Sequence, residues 1–276
     1  MLECPLCSSP NVVFNFFENN HSLYSCEECD LHFINPYRQN AINRNPLSFK
    51  KQHISEKFAV KYYLPYIKKY FTNRDSHLDI GSGCGELLKK SKELGIKTVV
   101  GLENDTNRVS FSRKNTKCLI VEKEFNLFNA KEKYSIITLI NVVSHLTDLN
   151  LFFNKVNGLL EANGVLIIKT GLIKKGFKRK NGFDWQIPEH IHFFGEKTPK
   201  YLANKFGYNI LEQINIPISN ELISTEYFLS PGRNLVKNLI KKSINYIPYS
   251  IPLLRYLFNT YTRNKMFTLI LVFEKT

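Results

Sequence analysis

The chain has 276 residues, of which 43% are hydrophobic, 13% aromatic and 22% charged, a balance that supports a packed core and excludes disordered, collagen-like and fibrous classes. Its 38 basic and 24 acidic residues leave a formal charge of +14, which suits nucleic acid, an anionic membrane surface or a phosphorylated substrate, although codon bias toward Asn, Ile and Lys produces the same balance with no binding role. No apolar run reaches the ~18 to 20 residues of a membrane-spanning helix, and MLECPLCSSP shows no basic stretch followed by an apolar one, so neither a spanning helix nor a signal peptide is expected and the default location is the cytoplasm.

Six cysteines are present, and Cys4, Cys7, Cys26 and Cys29 form C-x2-C, 18 residues, then C-x2-C. Two such knuckles supply four thiolates to one tetrahedral ion, the spacing of a Cys4 zinc site. The segment between them, VVFNFFENNHSLYSC, reads as two short strands joined by a polar turn, as in a zinc ribbon over residues 1–35. So short a unit needs its metal to fold. Four thiolates close the coordination shell, so the site is expected to be structural, with His21 and His32 on the surface. Residues 36–51 are polar with two prolines and read as a linker.

Phe58, Tyr62, Ile67 and Phe71 fall at helical spacing, in a helix broken or restarted near Pro65. From residue 76 onward, short apolar runs alternate with helical segments. The runs are HLDI (77–80), TVVGL (98–102), CLIV (118–121), SIITLI (135–140), GVLIIKT (164–170), NILEQINI (209–216) and MFTLILVF (266–273). ELLKKSKELG and LNLFFNKVNGLL supply helices between the first five. This alternation predicts an α/β domain over 52–276, a parallel sheet covered on both faces that binds its ligand at the carboxyl ends of the strands.

At the end of the first run stands Asp79-Ile-Gly81-Ser82-Gly83-Cys-Gly85-Glu. Alternate glycines turn strand into helix and let backbone approach a flat ligand. The spacing is G-x-G-x-G, and Glu86 occupies the place of the last glycine in the dinucleotide fingerprint, which argues against NAD or FAD. Glu103, at the end of the second strand, is placed to accept both hydroxyls of a ribose.

HLDIGSGCGELL, VVGLEND, YSIITLINVVSHLTD, LLEANGVLIIKT and PEHIHFFGEKTPKYLANKFGYNIL together resemble the motifs of class I S-adenosylmethionine-dependent methyltransferases over most of residues 52–276. The resemblance implies a Rossmann-like seven-stranded methyltransferase sheet behind the small N-terminal zinc ribbon. It also implies S-adenosylmethionine as cofactor, with Asp79, Gly81, Ser82, Gly83 and Gly85 along its methionine end, Glu103 on the ribose and Asn104 beside the adenine. Glu124, Phe125 and Asn126 are the alternatives for a further adenine contact. Ser135 stands where the family usually has Asp. The ribbon and the PEH-x-H-aromatic segment resemble a bacterial subgroup encoded with cell-surface glycan and secondary-metabolite genes.

Methyl transfer needs alignment, exclusion of water and, for a protonated nucleophile, a base. His145 after the fourth strand and Glu189, His190 and His192 after the fifth are the candidates, with Glu189-His190 preferred; an imidazole takes a proton at neutral pH. Lys174, Lys175, Lys178, Arg179 and Lys180 crowd the loop after strand five, where they can hold a phosphate. Between Tyr227 and Phe273 there is no acidic residue, while Arg233, Lys237, Lys241, Lys242, Arg255, Arg263 and Lys265 interleave with apolar side chains. This basic insertion, about 217–265, reads either as a lid or, through 233–265, as a peripheral membrane contact. The expected acceptor is a small molecule or a phosphorylated or lipid-linked glycan. An RNA methyltransferase, a non-catalytic S-adenosylmethionine-binding protein and a metal-dependent binding module with a degenerate methyltransferase domain are the alternatives.

Overall fold

The computed structural model describes residues 2–37, 49–174, 187–223, 239, 243, 244, 246–261 and 266–276. The basic residues Lys175, Lys178, Arg179, Lys180, Arg233, Lys237, Lys241, Lys242, Arg263 and Lys265, and most of the 36–51 linker, lie outside them.

At the N-terminus β1 (Val12–Glu18), β2 (His21–Cys26) and β3 (His32–Asn35) form an antiparallel sheet, completed by β9 (His192–Phe193) from far along the chain. The larger sheet comprises β4 (Ser76–Ile80), β5 (Thr98–Glu103), β6 (Leu119–Glu122), β7 (Tyr134–Ile140), β8 (Leu160–Ile173), β10 (Tyr208–Pro217) and β11 (Met266–Lys275). Its order is β10-β11-β8-β7-β4-β5-β6. The five strands β4 to β8 run parallel, and β10 and β11 pair antiparallel at one side. Order reverses around β4, which lies between β5 and β7, the arrangement that opens a crevice at the carboxyl edge.

The apolar strands are buried on both faces, as parallel strands must be. One face packs Leu78, Ile80, Ile137, Leu139, Leu166 and Ile168 against α4 (Leu149–Leu159), α5 (Thr198–Phe206) and the ribbon. The other packs Val99, Ile136, Val165 and Ile167 against α1 (Phe49–Ile67), α2 (Glu86–Glu93) and α3 (Thr106–Thr116). Helix α1 runs through Pro65 without a break and tightens into a 3-10 turn at Lys68–Phe71. Proline removes one helical donor, that to the carbonyl of Lys61, on the exposed side of the helix. Its buried side chains are Val60, Tyr63 and Ile67, followed by Phe71, so the core stripe is displaced from Phe58 and Tyr62, which are half-buried. Among the described residues two further helices are α6 (Ile218–Leu222) and α7 (Ser250–Tyr261); α7 buries no side chain. Among the described residues no helix is long and apolar enough to cross a membrane.

Ser135, at the position usually held by Asp, closes the start of the β4–β7 pair: its hydroxyl donates to the Ser76 carbonyl at 2.8 Å and its amide donates to Ser76 Oγ at 2.9 Å. The ribbon is bound to the larger domain throughout. Cys4, Leu6, Leu31 and Phe33 share one core with α4 and α5. Thr198 Oγ1 donates to the Cys29 carbonyl at 2.9 Å, Lys205 Nζ to the Leu6 carbonyl at 2.6 Å, and the Glu196 amide to Asp30 Oδ2 at 2.8 Å. His21 and His32, expected on the surface, are 8% and 6% exposed. For His32 the cause is β9, which pairs it with Phe193 and covers the outer edge of β3; His21 pairs with Glu18 in the β1–β2 hairpin, its Nδ1 2.6 Å from the Asn19 carbonyl. Phe33→Ala should therefore destabilise the whole chain by about 3–5 kcal/mol, as for a cavity in a shared core; one denaturation transition, monitored by both sheet and ribbon signals, checks it.

Candidate functional site

The site begins where β4 ends. Register across the sheet sets Gly101, Asp79, Thr138 and Ile167 in one row; outward of it Ile140 pairs with Lys169, and β5 ends at Glu103. After Ile80 the chain turns through Gly81, Gly83 and Gly85, all at positive φ of 73°, 55° and 86°, where a side chain would be strained. The Gly81 and Ser82 amides both donate to the Leu102 carbonyl, at 2.8 and 3.0 Å, tying the loop to the end of β5. Ser82 is buried with its hydroxyl unpartnered.

Three carboxylates surround this loop. Asp79 is 3% exposed and accepts a short hydrogen bond from Thr138 Oγ1. His77 Nε2 lies 2.8 Å from Thr138 Oγ1, and His77 Nδ1 lies 2.8 Å from Ser91 Oγ. Burial, with the charges of Glu56 and Glu103 added, pushes the Asp79 carboxyl up to about 8. Glu103 is buried at the end of β5: its Oε2 accepts from the Gly83 amide at 2.9 Å, and its Oε1 from Asn104 and Asp105 at 2.9 and 3.0 Å. Glu56, on α1, reaches the loop from the other side. Its Oε2 accepts from the Cys84 amide at 2.6 Å and its Oε1 from the Glu86 amide at 2.8 Å, satisfying donors that the start of α2 leaves open. Burial raises the pKa of Glu56. Asn126 lies farther along, exposed in a 3-10 turn after β6, its carbonyl accepting from Lys155 Nζ at 2.8 Å.

The other side of the edge is built from the ends of β7 and β8. Lys169 is 2% exposed and donates to Glu221 Oε1 at 2.8 Å and to Asn141 Oδ1 at 3.2 Å. Beyond them, the His145 and His190 rings lie 4.8 Å apart, and His145 Nδ1 is 2.8 Å from the Glu189 carbonyl. The Ile191 amide donates to the Ser144 carbonyl at 2.7 Å, and the Ile191 carbonyl accepts from the Ile34 amide at 3.1 Å. The loop is thus held between the end of β7 and the ribbon strand β3. His192 points into that junction, where burial lowers its pKa to about 4 and keeps it neutral. Lys174, the one described member of the loop's basic group, lies 3.5 Å from Glu196 Oε1.

Sequence reasoning missed Glu56, Thr138, Asn141, Lys169 and Glu221. Lys169 carried a signal, since a lysine inside GVLIIKT on a strand buried on both faces requires a partner. Glu56 carried none: it lies 27 residues before Gly83, and only the packing of α1 brings it to the loop.

The second centre is the ribbon. The Sγ atoms of Cys4, Cys7, Cys26 and Cys29 all lie within 4.8 Å of one another, with Cys4–Cys29 at 3.5 Å and Cys7–Cys26 at 3.4 Å. All four are free thiols. Zinc–sulfur bonds of about 2.3 Å in a tetrahedron set sulfurs roughly 3.8 Å apart, so this donor set fits zinc.

Burial leaves a readable pH signature. His77 and His192 have folded pKa values lowered to about 3 and about 4, so the stability they contribute is present above 6.5 and lost as pH falls through those values. Asp79 is the opposite case. Its folded value is raised from 3.8 to about 8, so its contribution is present at low pH and lost as pH rises toward 8. Thermal stability of the metal-loaded protein should peak near pH 6.5 and decline toward pH 8, and Asp79→Asn should flatten the decline; melting curves across pH check both.

A family model described as a methyltransferase domain matches residues 47–213, more than half of the chain. Among curated proteins, a ribosomal protein L11 methyltransferase of Alkaliphilus oremlandii is 26% identical over 140 residues, covering 47% of this chain and 43% of its own length. A ubiquinone biosynthesis O-methyltransferase of Pelagibacter ubique is 29% identical over 135 residues, covering 44% of this chain and 56% of its own. The matches thus span about half the length of these relatives. Among solved structures, coclaurine N-methyltransferase aligns over 78% of this chain and 72% of its own with a TM-score of 0.55 at 13% identity. A cyclopropane synthase of Mycobacterium tuberculosis aligns over 77% and 84% with a TM-score of 0.55 at 15% identity. These structural likenesses speak for the fold. With a glycine turn after β4, an acid ending β5 and a seven-stranded sheet whose last strand is antiparallel, the chain belongs to the class I S-adenosylmethionine-dependent methyltransferases and carries a ribbon-like four-cysteine cluster ahead of the domain.

Proposed function

We propose that this methyltransferase alkylates a small-molecule, phosphorylated or lipid-linked glycan acceptor, with His190 as the general base. The observation that carries the reading is the division of one carboxyl edge into two parts, carboxylates about the glycine loop on one side and the His145–His190 pair on the other. The family implies S-adenosylmethionine, and the residues present fit it. Glu56, Asp79 and Glu103 converge on the glycine loop, where the Ser82 hydroxyl is buried without a partner; burial, with the charges of Glu56 and Glu103 added, holds Asp79 up to about 8. When bound, the cofactor supplies a methyl group already activated on a sulfonium.

Asp79, Gly81, Ser82, Gly83 and Gly85 would hold its methionine end, Glu103 its ribose hydroxyls, and Asn104 and Asn126 its adenine side. His190 would take the acceptor's proton as the new bond forms, with His145 packed against it and Glu189 fixing the turn through its carbonyl. His192 would serve by holding the loop on β3. The four thiolates would hold zinc with no open position, a structural ion that reaches the chemistry only through β3 and the loop. An anionic or lipid-linked acceptor is supported by the acid-free stretch from Tyr227 to Phe273 and by the exposed Leu253, Tyr256 and Leu257 on α7, a basic and apolar combination suited to an anionic lipid surface.

Three measurements test this reading. With methyl-labelled cofactor and host lysate, label should enter the lipid-glycan or small-molecule pool and disappear with Glu103→Ala; label in RNA or protein would overturn the acceptor class. His190→Ala should lower kcat by about a hundredfold or more while changing cofactor affinity by less than about twofold, and equal losses would remove it as base. Metal analysis should find zinc bound through the cysteines, and stripping it should cost more turnover than cofactor binding, because the loop loses β3 while the glycine loop keeps its own supports.

A further inference from the structure

Helices α1 and α2 leave a groove between them, on the face of the larger sheet opposite the ribbon. It encloses about 550 Å³, and Phe58, Val60 and Leu64 give it an apolar floor. Five lysines border that floor: Lys57, Lys61 and Lys68 from α1 and the 3-10 turn that ends it, Lys89 and Lys90 from α2. The single acid in the lining, Glu86, is buried and already engaged, 2.7 Å from His53 Nε2 and accepting from Asn115 Nδ2 at 3.2 Å. Lys57, Lys68 and Lys89 are exposed and form no ion pair among the described residues, whereas Lys90 lies 2.6 Å from Glu93 Oε2. Like charges gathered across a groove repel, and the apolar surface between them faces water. A ligand that carries an anionic group on an apolar chain lifts both costs at once.

We propose that this groove binds a single-chain anionic amphiphile, an alkyl or prenyl phosphate or carboxylate, with its chain on Phe58, Val60 and Leu64 and its head among the lysine ammoniums. Lysine suits that arrangement, because its methylene stem lies along apolar surface while the charge stays at the rim. The volume is that of a small-molecule site, ~300 to 1,000 Å³. The α2 wall is eight residues, about 12 Å, which is short for docking a partner helix. A polyanion such as RNA would use the lysines and leave the floor bare. The groove is bounded by α1 and α2, whereas His145 and His190 meet beyond the ends of β7 and β8, so the proposal does not rest on the acceptor reading.

The test is calorimetric titration of the metal-loaded, full-length protein with decyl phosphate below its micellar concentration. Decyl phosphate should bind saturably, and hexyl phosphate, decyl maltoside and inorganic phosphate should each bind about tenfold or more weakly, since they shorten the chain, remove the charge and remove the chain altogether. Lys57→Glu with Lys89→Glu should weaken decyl phosphate by about tenfold or more. Lys114→Glu with Lys131→Glu makes the same change of net charge away from the groove and should leave binding within about twofold. Should the first pair melt differently from the parent, Lys57→Gln with Lys89→Gln takes its place, and a loss confined to the groove pair is still required. Equal binding of decyl maltoside would reduce the groove to an apolar surface, and equal binding of inorganic phosphate would reduce it to an anion site. Equal loss in both double variants would leave only attraction by net charge, and no loss in either would put the amphiphile elsewhere, the acceptor side included. Each of these results overturns the proposal, as does failure of the parent protein to bind decyl phosphate.

Discussion

The parallel pairing of β4 between β5 and β7 is the constraint on which the rest of the site depends. Side chains alternate along a strand, so a slip of one residue would exchange the two faces of β4 and send Asp79 toward the α4 side of the sheet. In the observed register Asp79 meets Thr138, Ile80 stands level with Leu102, and the loop is stitched to the Leu102 carbonyl by two amides. Ser76 and Ser135 lock the same pair at its opposite end. One alignment thereby fixes the glycine turn, the buried acid and the hydroxyl that serves it.

A second dependence crosses the chain. Strand β9 leaves the sequence neighbourhood of β8 and joins the ribbon, so the loop bearing Glu189 and His190 is anchored on one side by Ser144 and on the other by Ile34. The ribbon's own residues complete the core beneath α4 and α5, and the charged tips of Lys197 and Lys205 reach its carbonyls. A four-cysteine module ahead of a catalytic domain is easily read as a separate bead on a linker. Here it is a wall of the larger domain, and its fold and that of the loop are one packing problem.

Charge is distributed against the average. The chain carries +14 overall, yet the glycine loop is ringed by Glu56, Asp79, Glu86 and Glu103, with His53 and Asn115 engaged by Glu86. Net charge describes long-range attraction for polyanions, and a buried cluster of acids describes what the short-range site expects. The two need not agree, because one concerns the exposed lysines and the other a few desolvated carboxylates whose repulsion raises their own pKa values.

Much of this was legible in the sequence because it is local. The Cys spacing, the glycine turn between an apolar run and a helix, Glu103 one strand later, and seven apolar runs of strand length each report on chemistry within a few residues of themselves. The details that escaped are those decided by partners distant along the chain. Pro65 looked like a break because a missing donor is visible in sequence, whereas the solvent exposure that makes it tolerable is not. His32 looked like a surface residue until β9 covered it. Glu56, Lys169 and Glu221 acquired their roles from the packing of α1 and α6 over the carboxyl edge. The sequence by itself determined the family, the order of elements and which residues form the glycine turn and the thiol cluster, since covalent spacing carries that information. Only the tertiary structure decided which acids share the cradle, which histidines meet, and that the ribbon and the loop after β8 are one wall, because those are distances across space.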